Sequence, residues 1–285
     1  MPKVTKKTLN CRGRLVDLTT PAVMGILNVT PDSFFAGSRL LVENSISTAA
    51  VDVAQRMIRD GATFLDIGGY STRPGAAEVS PTEEADRVLP VIEAILTNFP
   101  DALISIDTFR ASVAHQAVEA GAAIINDVAG GTLDPAMFET AAALGVPYIL
   151  MHMRGTPQTM QSLAKYTNVT TEVIDELAVR VATLRSLGQK DIILDPGFGF
   201  AKTISQNFDL LNHLETFRLF DEPLLVGISR KATIWKTLAI SANKALNGTT
   251  VLNTIALTKG ASILRVHDVR EAVEAIKLTQ ELTFF

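Results

Sequence analysis

The chain has 285 residues, 47% hydrophobic and 20% charged, with a net charge of −4. That supports a sizeable core and excludes the broad basic surface nucleic acid requires, so an anionic ligand would need a local cationic cluster. A single cysteine, Cys11, excludes an intrachain disulfide and a cysteine zinc site. No apolar run nears the roughly 20 residues of a membrane span, and no apolar stretch follows the N-terminal lysines as in an export signal. The expectation is a cytoplasmic, soluble protein without membrane or nucleic-acid partners, and an inert thiol at Cys11.

In chain order, TLNCRGRLVDL reads as a small hairpin turning at Arg12-Gly13, placed to plug the bottom of a barrel. AVMGILNVT (22–30) is the first buried strand. A recurring phrase follows, in which a helix-like segment leads to a glycine, a short apolar run and a polar residue. It appears as GATFLDIGG (61–69), GAAIINDV (121–128), GVPYILMH (145–152), GQKDIILDP (188–196) and GASILRVHD (260–268). Glycine just past a helix takes the left-handed cap conformation without a Cβ penalty. Short β-branched runs of this kind suit strands buried on both faces. DALISIDT (101–108) and EPLLVGISRK (222–231) complete eight strands. Between them, Ser80-Pro81-Thr82-Glu83 predicts a capping box, Asp134-Pro135 opens a helix closed by Gly145, and Asp268 is expected to cap the last helix.

Eight strands alternating with helices in about 260 residues predict an α/β fold, a (β/α)8 TIM barrel with a short N-terminal hairpin. A doubly wound open sheet competes, but no G-x-G-x-x-G follows the first strand. With no linker or low-complexity stretch, residues 1–285 are read as a single domain.

In such a barrel the site lies at the C-terminal strand ends. Those ends carry Asn28, Asp66, Asp107, Asn126 with Asp127, His152, Asp195, Ser229-Arg230-Lys231, and Arg265 with His267. Any one of them could cap the following helix, as Asp107 could before TFRASVAHQAV. A ring of them is not required by a scaffold. Asp107, Asn126 and Asp195 can read a planar heterocycle with a guanine-like edge, since a carboxylate accepts two parallel N–H bonds. Arg73, Arg265 and His267 form a separate cationic set suited to phosphate oxygens, with Thr72 adding short donors. Two long loops, VTPDSFFAGSR (29–39) and GGYSTRPGAAEVS (68–80), are candidate lids. His152 could pack under a ligand or be a satisfied barrel histidine. Phe198 is expected to pack inward, Trp235 to be packing, His115 and His213 to lie on the surface, and Lys202 to be a solvated loop charge.

The motifs MGILNVTPDSF, GGYSTRPGA, SIDTFR, INDV, LMHMRGTPQTMQ, LDPGFGFAKT, GISRK and LRVHDV resemble, in order, the signatures of the dihydropteroate synthase family. The resemblance spans about residues 22–280. It implies a TIM-barrel transferase of folate biosynthesis, usually a homodimer, and a target of sulfonamides. Such an enzyme joins 4-aminobenzoate to 6-hydroxymethyl-7,8-dihydropterin diphosphate, giving 7,8-dihydropteroate and diphosphate. By motif, Asp107, Asn126, Asp195 and Lys231 would hold the pterin. Asn28, Thr72, Arg73, Arg265 and His267 would surround the diphosphate, with Asn28 the protein ligand of Mg²⁺. Pro74, Phe200 and the segment Ser229–Lys231, followed by Ala232, would flank the aminobenzoate. An SN1-like path then needs stabilisation of a pterin cation, with Arg73, Asp107, Asp195 and Lys231 as catalytic residues and no general base.

The sequence departs from the family at three places: Ala36 where aspartate is frequent, Tyr70 where glutamate is common, and Ala232 where serine is usual. A backbone N–H at a helix start can replace the serine hydroxyl, so weaker aminobenzoate binding is expected. Two rivals stand beside this reading. A catalytically silent pterin-binding protein would account for the altered first loop. A methyltetrahydrofolate–corrinoid methyltransferase would share the edge reader but have no use for the phosphate set.

Overall fold

The computed structural model describes residues 7–29, 43–70 and 78–282. Strands β1 (Thr8–Cys11) and β2 (Arg14–Asp17) pair antiparallel around a two-residue turn. Arg12 and Gly13 have φ of 55° and 87°, the left-handed pair that matches hairpin twist.

The barrel strands are β3 (Ala22–Asn28), β4 (Phe64–Gly68), β5 (Leu103–Asp107), β6 (Ile124–Asp127), β7 (Tyr148–Met151), β8 (Ile192–Asp195), β9 (Leu225–Val226) and β10 (Ile263–Val266). They pair in parallel in the order β8-β7-β6-β5-β4-β3-β10-β9. A parallel bridge between Leu194 and Leu224, with the Leu194 N–H donating to the Pro223 carbonyl at 2.9 Å, joins the two ends. All eight expected strands are present, and the sheet closes as a TIM barrel.

Helices α1 (Glu43–Arg59), α2 (Pro81–Asn98), α3 (Ala111–Glu119), α4 (Met137–Leu144), α5 (Val169–Ser186), α6 (Ile204–Asn212), α7 (Ala232–Thr237), α8 (Leu246–Thr258) and α9 (Val269–Gln280) run between and after the strands. Ser80 caps α2 by accepting the Glu83 N–H at 3.1 Å, but the return half of the expected capping box is missing. Glu83 pairs instead with Arg87 at 2.5 Å. Nor does Asp268 cap α9 through its side chain: both oxygens are taken by Arg230, at 2.8 and 2.7 Å. Asp134, expected to open α4, also accepts the Ala111 N–H at 2.8 Å and so serves the start of α3.

Side chains alternate across a strand with period two. One parity faces the helices, as with Val23, Leu65, Ile104, Ile125, Leu150, Leu194, Val226 and Leu264. The other faces the barrel interior. There Met24, Phe64, Leu103, Ile124, Ile149, Ile193, Leu225 and Ile263, one per strand, pack with Leu9, Cys11 and Leu18 of the hairpin. The hairpin therefore plugs the N-terminal end, tied by the Asn10 N–H to Asp191 at 3.1 Å. This apolar floor leaves the opposite end free for polar groups.

Cys11 is buried, and burial, followed by the charge of Asp191, pushes its thiol up to about 12. Its thiolate fraction at neutral pH is then roughly a thousandfold below that of an ordinary cysteine. Labelling by a disulfide reagent is expected to be slower by about tenfold or more in the native protein than in denaturant, since the greater nucleophilicity of a high-pKa thiolate offsets part of the deficit, as a stopped-flow comparison would read. No helix among the described residues is long and apolar enough to cross a membrane.

Candidate active site

Two residues beyond the apolar floor, on the same parity, stand Asp66, Ser105, Asn126, Asp195 and Arg265. Four of these five can carry charge or offer an amide, so the interior changes character within one layer. Asp66 is fully buried and lies level with Ser105, one layer below Asp107. Its Oδ2 accepts from Arg265 Nε at 2.6 Å and from Asn126 Nδ2 at 3.0 Å. Its Oδ1 has no hydrogen-bond partner among the described residues. The other arm of Arg265 donates to Asp107 Oδ2. Arg265 thus sits among the carboxylates rather than in a cationic set apart from them. Burial raises the Asp107 carboxyl to about 7, with Arg265 pulling it back down.

Asp195 ends β8 and is buried. Its Oδ1 accepts the Gly197 N–H at 2.8 Å, which turns the chain out of the barrel. Burial raises its pKa, opposed first by Lys231 and then by the Gly197 bond and Arg265. Lys231, in turn, is lowered to about 8 by burial, against the pull of Asp195. Its Nζ donates to the Phe198 carbonyl and lies 4.5 Å from the half-buried Phe200 ring. Phe198 packs fully into the core, as expected.

On the rim, Asn28, Gly68, Asp107 and Asn126 lie level across β3 to β6. A Cβ on Gly68 would sit 3.7 Å from Asn28 Oδ1 and 3.6 Å from Asp107 Oδ2, so an amide oxygen and a carboxylate oxygen flank one spot. Hard oxygens of this kind suit Mg²⁺, which takes few protein ligands and keeps its waters. Among the described residues, no group of three or more His, Cys, Asp and Glu could hold a metal ion. Ser229 is buried, and its Oγ meets His267 Nδ1 at 3.1 Å and accepts the His267 N–H at 3.2 Å. The serine therefore orients His267, which is exposed. Arg230, at φ 52°, is held by Asp268 and by the carbonyls of Ala242 and Asn243 at 3.2 and 2.7 Å. That anchors the backbone from which Lys231 and Ala232, the first residue of α7, project. Thr72, Arg73, Pro74 and Ala36 lie outside the described residues.

Lys202 corrects an expectation: it is not a solvated charge but 3% exposed. Its Nζ meets His152 Nδ1 at 3.0 Å and the carbonyls of Gly197 and Phe200 at 3.1 Å each. Burial lowers its amine to about 7, while Asp195 pulls it upward. His152 is a satisfied barrel histidine, its Nε2 3.1 Å from Glu176. Burial, then the charge of Lys202, lowers it to about 4. Glu176 was not singled out from the sequence; it sits mid-helix among ordinary acidic residues. The sequence marks Asp66 only as a strand end, although its parity with Phe64 already points it inward. Tyr70 makes an edge contact with Phe109 at 5.2 Å and lies 5.2 Å from the Arg110 guanidinium. Arg110 has its acidic partner in the buried Glu84.

A closed α/β barrel whose mouth gathers Asp66, Asp107, Asn126, Asp195, Lys231 and Arg265 defines a barrel enzyme for a small polar ligand. Residues 24–267 match the family described as pterin binding enzyme, and the chain belongs to that family. The relatives narrow this further. The chain is 46% identical over 274 residues to the dihydropteroate synthase of Escherichia coli (strain K12), covering 95% of each. The dihydropteroate synthase of Yersinia pestis, solved as a sulfonamide drug complex, has TM-score 0.88 at 42% identity, over 96% of this chain and 98% of that one. That of Xanthomonas albilineans with 4-aminobenzoic acid has TM-score 0.89 at 38% identity, over 98% and 100%. Within the family the chain stands among the dihydropteroate synthases, transferases of folate biosynthesis.

Proposed function

We propose that the chain condenses 6-hydroxymethyl-7,8-dihydropterin diphosphate with 4-aminobenzoate, releasing diphosphate and forming 7,8-dihydropteroate. The observation that carries this reading is the convergence of Asp107, Asn126, Asp195 and Lys231 on one buried centre beside Arg265. The carboxylates accept the pterin's amino and ring N–H groups, and Lys231 donates to its ring oxygen and nitrogen. Asn28, Thr72, Arg73, Arg265 and His267 surround the diphosphate, with the arginines countering its charge, and Phe200, Pro74, Ser229 and the Ala232 N–H flank the aminobenzoate. Asn28 would be the protein ligand of Mg²⁺, which when bound makes diphosphate a better leaving group. Asp107 and Asp195 favour positive charge on the pterin as the bond to diphosphate lengthens. The aniline nitrogen carries a free lone pair at neutral pH, so it needs placement rather than a base. We read the protein as a cytoplasmic homodimer of one-domain chains, on the family resemblance and the absence of a membrane-spanning helix among the described residues.

Diphosphate release should be coupled one-to-one to dihydropteroate formation when the purified chain receives both substrates and Mg²⁺. Pterin binding without turnover in folded protein would make it a silent binder instead.

The pH dependence has a definite sign. A protonated Asp107 cannot accept two N–H bonds, and its carboxyl is raised to about 7 by burial among Asp66, Glu84 and Asp127. Pterin affinity is therefore expected to climb from pH 5.5 through about 7 and to level off only above about pH 8. Calorimetric titration across that range reads it, and in Asp107→Asn the slope should flatten, leaving only the part due to Asp195, whose carboxyl burial also raises.

A further inference from the structure

The turn after β8 is built from conformations that do not hold themselves. Gly197, Gly199 and Ala201 have φ of 72°, 82° and 48°, so every second residue is left-handed. Ala201 has a Cβ, so this conformation is strained there. Backbone of this kind persists only where its surroundings over-determine it. A Cβ on Gly197 would lie 2.0 Å from the His152 carbonyl oxygen, so β7 presses directly on the turn.

Two amines grip it from different sides. Lys231 donates to the Phe198 carbonyl. Lys231 is also the amine proposed to donate to a bound pterin, so its N–H groups are shared between ligand and turn. Lys202 serves the turn alone, meeting the carbonyls of Gly197 and Phe200 and His152 Nδ1. Because His152 Nδ1 accepts, the ring's proton sits on Nε2 and is donated to Glu176 Oε2. Glu176 is itself fixed by Arg154, at 2.8 and 2.5 Å. The chain Lys202–His152–Glu176 thus runs from the turn to helix α5 with one direction of donation throughout.

We propose that Lys202, oriented through His152 by Glu176, is a positioning residue that holds the 197–201 turn and so fixes the Phe200 ring as the wall against the second substrate. This rests on the reading of Phe200 as the aminobenzoate wall. Lys202 touches no reacting atom. Its effect should fall mainly on one substrate, since Asp107, Asn126 and Asp195, which are proposed to hold the pterin edge, stand on the strands themselves.

The test uses the full chain. Lys202→Met is expected to raise KM for 4-aminobenzoate about tenfold, the scale of a wall displaced by a fraction of an ångström. Calorimetric affinity for 6-hydroxymethylpterin should change by less than about threefold, as for any group outside its contacts. Amide exchange over 197–203 should accelerate. Glu176→Ala, partly exposed and remote from both substrates, should shift the same KM and the same amides in the same direction by less. Unchanged exchange in folded Lys202→Met, or parallel weakening of both ligands, overturns the proposal. If Lys202→Met does not fold, exchange in Glu176→Ala and His152→Gln decides it in the same way. Phe200→Ala separates the two readings. If it leaves KM for aminobenzoate unchanged, the wall assignment fails, while amide exchange still judges Lys202.

Discussion

Asp195→Asn is expected to lower kcat/KM by about a thousandfold while the barrel stays folded. The asparagine Oδ1 can still accept the Gly197 N–H, now made at 2.8 Å, so the turn survives. What is lost is the second oxygen and the charge. An amide nitrogen would face the pterin's own N–H donors, and two charge-assisted bonds, about 1.5–3 kcal/mol each, would go. The charge matters separately, because Lys231, Arg265 and Lys202 all pull the Asp195 pKa down. Removing their shared anion leaves a buried cationic excess and disfavours positive charge on the pterin. Stability should hardly fall. Burial raises the Asp195 pKa, so its ionisation opposes folding above the ordinary carboxylate pKa, and the neutral amide is relieved of that cost. Steady-state kinetics with a melting curve reads both. A loss under tenfold would remove Asp195 from pterin recognition.

Arg265→Met should damage the fold as well as the activity. Arg265 bridges Asp66 and Asp107 inside the barrel. Its removal strands two buried carboxylates, and breaking a buried pair from one side costs about 3–5 kcal/mol. The deficit should depend on pH. Without the guanidinium, Asp107 rises beyond the value near 7 it already has. The folded state then binds a proton the unfolded state has released, so stability falls as pH rises from about 4 towards 8. Urea unfolding at pH 5.5 and pH 8 should show the larger loss at pH 8, and equal losses would contradict the bridge. Arg265→Lys should regain part of the stability and little of the activity, because a point charge cannot span two carboxylates. Arg265 also holds the Asp107 oxygen that the pterin is proposed to use. Ligand binding must therefore exchange one partner for another at Asp107.

By itself the sequence determined the architecture. Helix-ending glycines, short β-branched runs and polar strand ends are local signals; the full phrase recurs five times and three further runs bring the strands to eight, which allows one economical closure. Period-two alternation within a strand even puts the acid at Asp66 on the same inward face as the floor residue Phe64. The motifs at the strand ends carried the family as well, because they are contiguous residues whose order survives in the chain. Tertiary structure alone decided the partners. Arg265 and Asp66 are 199 residues apart, Lys202 and His152 are 50, and Arg230 and Asp268 are 38. A lysine in a glycine-rich loop has the same local signature whether it meets water or a buried histidine. An aspartate before a helix reads as a cap until an arginine from a distant loop claims both oxygens. Burial and charge pairing depend on which distant groups the closed barrel brings within 3 Å, and no local pattern encodes that distance.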